Sequence, residues 1–391
     1  MNDLDTRVRP ARPDLLRRAA PALLGYAAVR ALGLLVLALW SAARGTSWYT
    51  LLTARWDALW YTRVAELGYG YEVRLPNGDV HSNLAFFPLL PWLERLVAAA
   101  SPLSYADGGF LVSLLASLAA AGGIFAVADR LYGARAGVCA VLLWAALPVG
   151  IVQSMAYSES LFTALAAWSL YAVLTGRWVT AGLLAACAGL TRPVGLAVVA
   201  AVWAAGCAAL WRDRRAAPAD RAGPRERAAL LSALAVAPLG AAGYVLWVGH
   251  RTGKGPLGYL DVQAGWRNGF DGGYAFARFV GGKFTALPTV PAGLALAAGV
   301  VLLVWLYVVC VRQRQPLALL VYAGVVTALA LCASSYFGSK PRLLLPAFPL
   351  LLPLARPLAR LGPSRSAAVL GGLAAVSAVY GAFWLNGSGP P

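Results

Sequence analysis

The chain has 391 residues, of which 60% are hydrophobic and 13% charged, about half the charged share of an average soluble domain. Its 33 Lys+Arg against 16 Asp+Glu leave a net charge of +17, which in a soluble protein would point towards nucleic acid. Here the cations lie between long runs of Leu, Ala and Val, so a soluble enzyme and a nucleic-acid binder are both excluded. The charge reads instead as cytoplasmic anchoring of a membrane protein.

Eleven apolar segments are long enough to be read as helical spans, at about 21–43, 108–128, 136–152, 155–174, 178–190, 193–211, 229–249, 291–311, 317–336, 343–361 and 367–385. Backbone groups in hydrocarbon must pair internally, and the short alternating segments of a β-barrel are missing, so the spans are α-helices. The first run is long and no small-residue cleavage site follows it, so it is taken as a span and not a removed leader. The segment 178–190 is short, and 343–361 is broken by Pro346, Pro349, Pro353 and Pro357. The five cysteines all lie in apolar runs without CxxC spacing, and there are two histidines. A disulfide framework or a His/Cys metal site is not expected.

Orientation follows from cations in short loops. With the N-terminus inside, the cytoplasmic segments 1–18, 129–135, 175–177, 212–228, 312–316 and 356–366 hold 19 of the 33 cations, Arg7, Arg9 and Arg12 among them. The two long loops, about 44–107 and 250–290, then lie outside, and any chemistry is expected there. Two stretches of the first loop, 55–68 and 84–100, are amphipathic and read as interfacial helices.

Five constellations carry candidate chemistry. In Arg55-Trp56-Asp57-Ala58-Leu59-Trp60-Tyr61, Trp56 and Trp60 share a helix face. Asp57 stands at the membrane surface, where desolvation tunes a carboxyl towards general-base duty; the plainer reading is a helix cap beside an interfacial aromatic belt. His81 and Asn83 precede the proline-stiffened Phe86-Phe87-Pro88-Leu89-Leu90-Pro91, which otherwise reads as an amphipathic helix start. Ala156-Tyr157-Ser158-Glu159-Ser160 puts Glu159 into an uncharged helix, a functional candidate by default, or else a helix N-terminal acid. Thr191-Arg192-Pro193-Val194-Gly195 places Arg192 between two spans, where it needs an anion: Glu159 or a ligand phosphate. Lys340-Pro341-Arg342 at the outer end of the broken span suits a lipid phosphate, or a snorkelling pair.

In this order, WDALWY with a trailing GY, FFPLLP, AYSES, TRPVGL and KPRLLLPAFPL resemble the PIG-V-like mannosyltransferases over about residues 55–350. Val194 stands where eukaryotic members usually read TRPNG, and Leu343 stands where an aromatic often follows the arginine. Both departures bear on the acceptor. The resemblance implies an all-α polytopic bundle of the GT-C type, a single domain over 1–391, with about 11 transmembrane helices and amphipathic helices in the first outer loop. It also implies inverting transfer of a sugar, often mannose, from a polyprenyl-phosphate donor to a glycolipid, polysaccharide or glycoprotein acceptor on the extracytoplasmic face of the cell membrane.

Asp57 matches the family's first-loop aspartate and is the expected general base. Trp56, Trp60, Tyr61, His81, Asn83, Tyr157, Glu159, Arg192, Lys340 and Arg342 are the expected substrate-binding residues. No cofactor, metal or nucleic acid is expected; the partners are donor, acceptor and bilayer. The competing class is a transporter or flippase of a lipid-linked glycan, which would show inverted repeats and functional residues at mid-membrane.

Overall fold

The computed structural model describes residues 14–334, 336–387 and 389; Arg7, Arg9 and Arg12 lie outside them. All eleven apolar segments are helical in whole or in part, but they are not eleven equal spans. Among the described residues, six helices are long and apolar enough to cross a bilayer: Leu15–Ala43, Tyr105–Tyr132, Pro193–Arg215, Pro224–Thr252, Leu287–Arg312 and Pro363–Leu385. A seventh is made if the pair Phe337–Leu343 and Phe348–Arg360, bent by 75°, counts as one span. Ala134–Ala145, Ser158–Leu174, Trp178–Gly189 and Leu317–Cys332 are shorter. At 1.5 Å per residue a twelve-residue helix covers roughly 18 Å of a hydrocarbon core of about 30 Å.

The shortfall is made up by non-helical backbone inside the bundle, and side chains of neighbouring helices bond some of the carbonyls at the breaks. Residues 150–160 are buried throughout. Arg30, in the middle of the Leu15–Ala43 helix, is buried and donates to the carbonyls of Ala145 and Gly150. It therefore closes the C-terminal end of Ala134–Ala145, where a cation also meets the helix dipole. In the proline-rich segment, Trp144 Nε1 donates to Leu345 O at 3.0 Å and Tyr322 Oη donates to Pro346 O at 3.0 Å. Neighbouring helices thus take up the carbonyls that proline strands, which is what allows irregular backbone at membrane depth.

The first long loop has more structure than two surface helices. Asp57–Leu67 and Leu89–Ala100 are helical as expected, and between them Glu72–Arg74 pairs antiparallel with Val80–Ser82. The Asn77-Gly78 turn supplies the positive φ this hairpin needs, Gly78 being at 86°. The second long loop folds back over it, with Trp266 Nε1 donating to Ser82 O at 3.0 Å, and from the Pro224–Thr252 helix that leads into that loop Tyr244 Oη donates to Leu84 O and Phe86 O at 2.9 and 2.8 Å. Both loops therefore cover the same end of the bundle.

Candidate active site

Two backbone hydrogen bonds tie the candidate segments together, one reaching the Trp48–Thr53 helix just before Arg55 and one reaching the residue just before Thr191. Ala156 N donates to Leu52 O and Leu89 N donates to Leu190 O, each at 3.0 Å. The turn carrying Arg192 is closed by glycines: a Cβ on Gly195 would lie 2.6 Å from Gly189 Cα. Trp56, which precedes the helix bearing Asp57, has φ 52° and ψ −125°, a region that costs a non-glycine residue about 1–3 kcal/mol. That twist turns the chain from the preceding Trp48–Thr53 helix and sets Asp57 at the first position of the next.

Asp57, Arg342, Glu159 and Arg192 then form one chain of charges. Arg342 Nη1 donates to Asp57 Oδ2 at 2.7 Å, Arg342 Nε lies 3.2 Å from Glu159 Oε1, and Arg192 Nη1 lies 2.6 Å from the same oxygen. Glu159 is at the centre with its side chain 1% exposed; Asp57 is at the open end with 26%. Two cations and two carboxylates cancel, which is how such groups tolerate burial. Arg192 also donates to Ser158 Oγ at 3.1 Å, and Ser158 Oγ shares a 2.6 Å hydrogen bond with Tyr61 Oη. Tyr157 lies under the Arg342 guanidinium, 5.1 Å from ring centre to Cζ. Asp57 Oδ1 has no hydrogen-bond partner among the described residues.

The remaining expected residues have other immediate partners. Lys340 donates to Ala330 O and Ala333 O at 2.8 Å, closing the C-terminal end of Leu317–Cys332, and its ammonium rests 4.7 Å from the Phe276 ring centre. Asn83 is buried and clamps the loop, accepting from Gly70 N and donating to Gly68 O. Trp60 stacks on Phe86 and meets Trp266 edge-on, while Tyr61 meets Phe86 edge-on. His81 stacks on Trp266 at 4.0 Å. Burial lowers the His81 pKa, with Asp79 opposing, and burial raises that of Tyr61, with Arg192 opposing. Trp56 carries the Arg55 guanidinium 4.1 Å above its ring.

Ser158, which links Tyr61 to Arg192, was inside a quoted constellation but not singled out, because a serine next to a buried glutamate gives no signal of its own. Glu94 was missed altogether. It is fully buried on the Leu89–Ala100 helix with neither carboxyl oxygen partnered, and burial holds its pKa well above the usual range.

Residues 41–217 match the model of the family described as Mannosyltransferase (PIG-V). Over that stretch, a little under half of its length, the chain is similar to the PIG-V mannosyltransferases. The matched stretch contains Asp57, Glu159 and Arg192, whereas Lys340 and Arg342 fall beyond it. Among solved structures, ArnT from Cupriavidus metallidurans bound to undecaprenyl phosphate is similar with a TM-score of 0.50 and 20% identity. That likeness covers 85% of this chain and 61% of ArnT. The oligosaccharyltransferase AglB from Archaeoglobus fulgidus, in complex with an inhibitory peptide and a dolichol-phosphate, is similar at a TM-score of 0.44 and 13% identity, over 94% of this chain and 56% of AglB. This chain thus spans about three fifths of the ArnT it resembles. The shared fold is the GT-C membrane bundle, all-α and multi-pass as the sequence implied. No curated protein sequence matches the chain.

Proposed function

We propose that the protein is a GT-C membrane glycosyltransferase that transfers a sugar, mannose in the first instance, from a polyprenyl-phosphate donor to a hydroxyl of a lipid-linked, polysaccharide or glycoprotein acceptor at the extracytoplasmic face. The observation that carries this reading is the carboxylate of Asp57. One oxygen is fixed by Arg342 within a neutral, buried network, and the other is unpaired at the network's open end.

In this reaction Asp57 Oδ1 takes the proton of the acceptor hydroxyl as its oxygen attacks the anomeric carbon. The bond from that carbon to the phosphate oxygen breaks, its electron pair leaves with the polyprenyl phosphate, and the anomeric centre inverts. Arg342 orients Asp57, and Glu159 with Arg192 orients Arg342. Loss of a general base slows a reaction by about 10²–10⁴-fold. Asp57→Asn keeps the shape of the site and should reduce transfer by roughly 100-fold or more. The measurement is polyprenyl phosphate released from polyprenyl-phosphate mannose by purified protein in nanodiscs supplied with a cell-envelope lipid and glycan extract as acceptor, with thermal unfolding run beside it. Turnover near that of the wild type in a folded Asp57→Asn protein would remove Asp57 from the base role. No release by the wild-type protein with any polyprenyl-phosphate sugar would remove the reaction.

A further inference from the structure

Charge balance at the Asp57 network raises a question about the lipid carrier. Its phosphate needs cations that are not already neutralised, and the two arginines of the network face two carboxylates. Lys340 is spent on helix-end carbonyls. Beside it, on the same end of the bundle, lies a cleft of about 620 Å³ between the Tyr274–Gly282 helix, the segment 283–289 that follows it and Phe337. Arg278 and Lys283 line it. Neither is paired with a carboxylate among the described residues, and the Lys283 ammonium rests 4.6 Å from the Phe279 ring centre.

The helix bearing Arg278 is fixed in place. Asp271 caps it, accepting from Gly273 N and Ala275 N at 2.9 and 2.8 Å. The segment before it is pinned just past the end of Leu317–Cys332, with Ser334 N donating to Gly269 O at 2.9 Å. Phe279 and Phe276 pack on Phe337 at 4.6 and 5.7 Å, and Phe337 is three residues before Lys340 and five before Arg342. The cleft therefore adjoins the network through one short segment.

The outer margin of the cleft is apolar and exposed. Tyr274, Phe284 and Leu287 are 68%, 45% and 88% exposed. They run on into Leu287–Arg312, a span with only 11% of its apolar window buried inside the protein. A soluble anion would not need that apolar margin, and a neutral lipid would not need the two cations. We propose that this cleft docks the phosphate head of the polyprenyl carrier, on Arg278 and Lys283, with the first isoprene units against Tyr274 and the lipid-facing start of the span. The inference rests on the transferase reading and adds to it where the carrier is held as it approaches and leaves Asp57.

The test is direct binding of undecaprenyl phosphate to the full chain in phosphatidylcholine nanodiscs, with phosphatidylglycerol as competitor. Replacing both cations (Arg278→Ala with Lys283→Ala) should weaken binding roughly tenfold or more, since two charge-assisted contacts are lost. Exchanging them conservatively (Arg278→Lys with Lys283→Arg) should recover most of the affinity, and Lys254→Ala, an exposed cation of the same loop, should leave it unchanged. Equal affinity in the double alanine variant, or equal displacement by phosphatidylglycerol, overturns the docking site. If the wild type turns over a polyprenyl-phosphate sugar while the double variant binds normally, only this site fails. If the wild type binds no polyprenyl phosphate, the transferase reading fails with it.

Discussion

Glu94 illustrates how a single buried group changes what the protein tolerates. Its carboxyl is packed against the Tyr105–Tyr132 helix so closely that a Cβ on Gly109 would lie 2.5 Å from Oε1. A carboxylate there would be uncompensated, so burial favours the protonated form and raises the folded-state pKa. The sign of the linkage follows. Above the ordinary carboxyl pKa the unfolded chain gives up this proton while the folded chain keeps it, so stability falls as pH rises from about 4.5 to the raised folded value. The slope for one retained proton is about 1.4 kcal/mol per pH unit. Glu94→Gln has the same shape and no proton to lose. It should match the wild type at the acid end of that window and exceed it at the alkaline end, in thermal unfolding followed across pH in nanodiscs. Parallel pH profiles for the two proteins would mean that Glu94 is ionised in the fold.

At the scale of elements, the broken helices position the chemistry. Arg192 reaches Glu159 because Trp178–Gly189 stops early and the chain turns through Pro193 and Gly195 before the next helix. A methyl group at residue 195 would meet Gly189 Cα at 2.6 Å and Ala188 O at 2.8 Å, both backbone atoms. Gly195→Ala should therefore lose stability by about 1–3 kcal/mol, the usual cost of overpacking. It should also lower transfer by displacing Arg192, while Gly371→Ala, with open space around it, should do neither. Unchanged transfer and melting in Gly195→Ala would mean the turn yields without moving Arg192. The helical segments and the acids and bases worth watching were legible in the sequence, because hydropathy and isolated charge are local signals. Which cation meets which acid was not. Lys340 and Arg342 are two residues apart and look equivalent in sequence, yet one closes a helix end and the other meets Asp57, 285 positions away. The hairpin at 72–82 was hidden too, since its three-residue strands are too short for alternation to show.

At the scale of the whole molecule, ion pairs and hydrogen bonds sort the loops into two ends. Arg18 pairs with Asp129, and Arg135 donates to Leu361 O, so three of the segments expected inside lie together. At the other end Arg267 pairs with Asp79 at 2.6 Å and Arg251 donates to Tyr69 O at 3.4 Å, joining the two long loops over the Asp57 network. The fold fixes which loops share a side; which side is cytoplasmic is a prediction from the cation count, because short loops rich in arginine resist translocation. That count predicts the segment 212–228, with six arginines, on the cytoplasmic side and the hairpin on the opposite one. The check is thiol accessibility in a background with the five native cysteines replaced. Asn77→Cys, at the exposed hairpin turn, should react with a membrane-impermeant maleimide in spheroplasts. Ala219→Cys, exposed in the arginine-rich segment, should react only after the membrane is permeabilised. The reverse pattern would put Asp57 on the cytoplasmic side, away from acceptors of the cell envelope, and would require an acceptor made and held inside the cell.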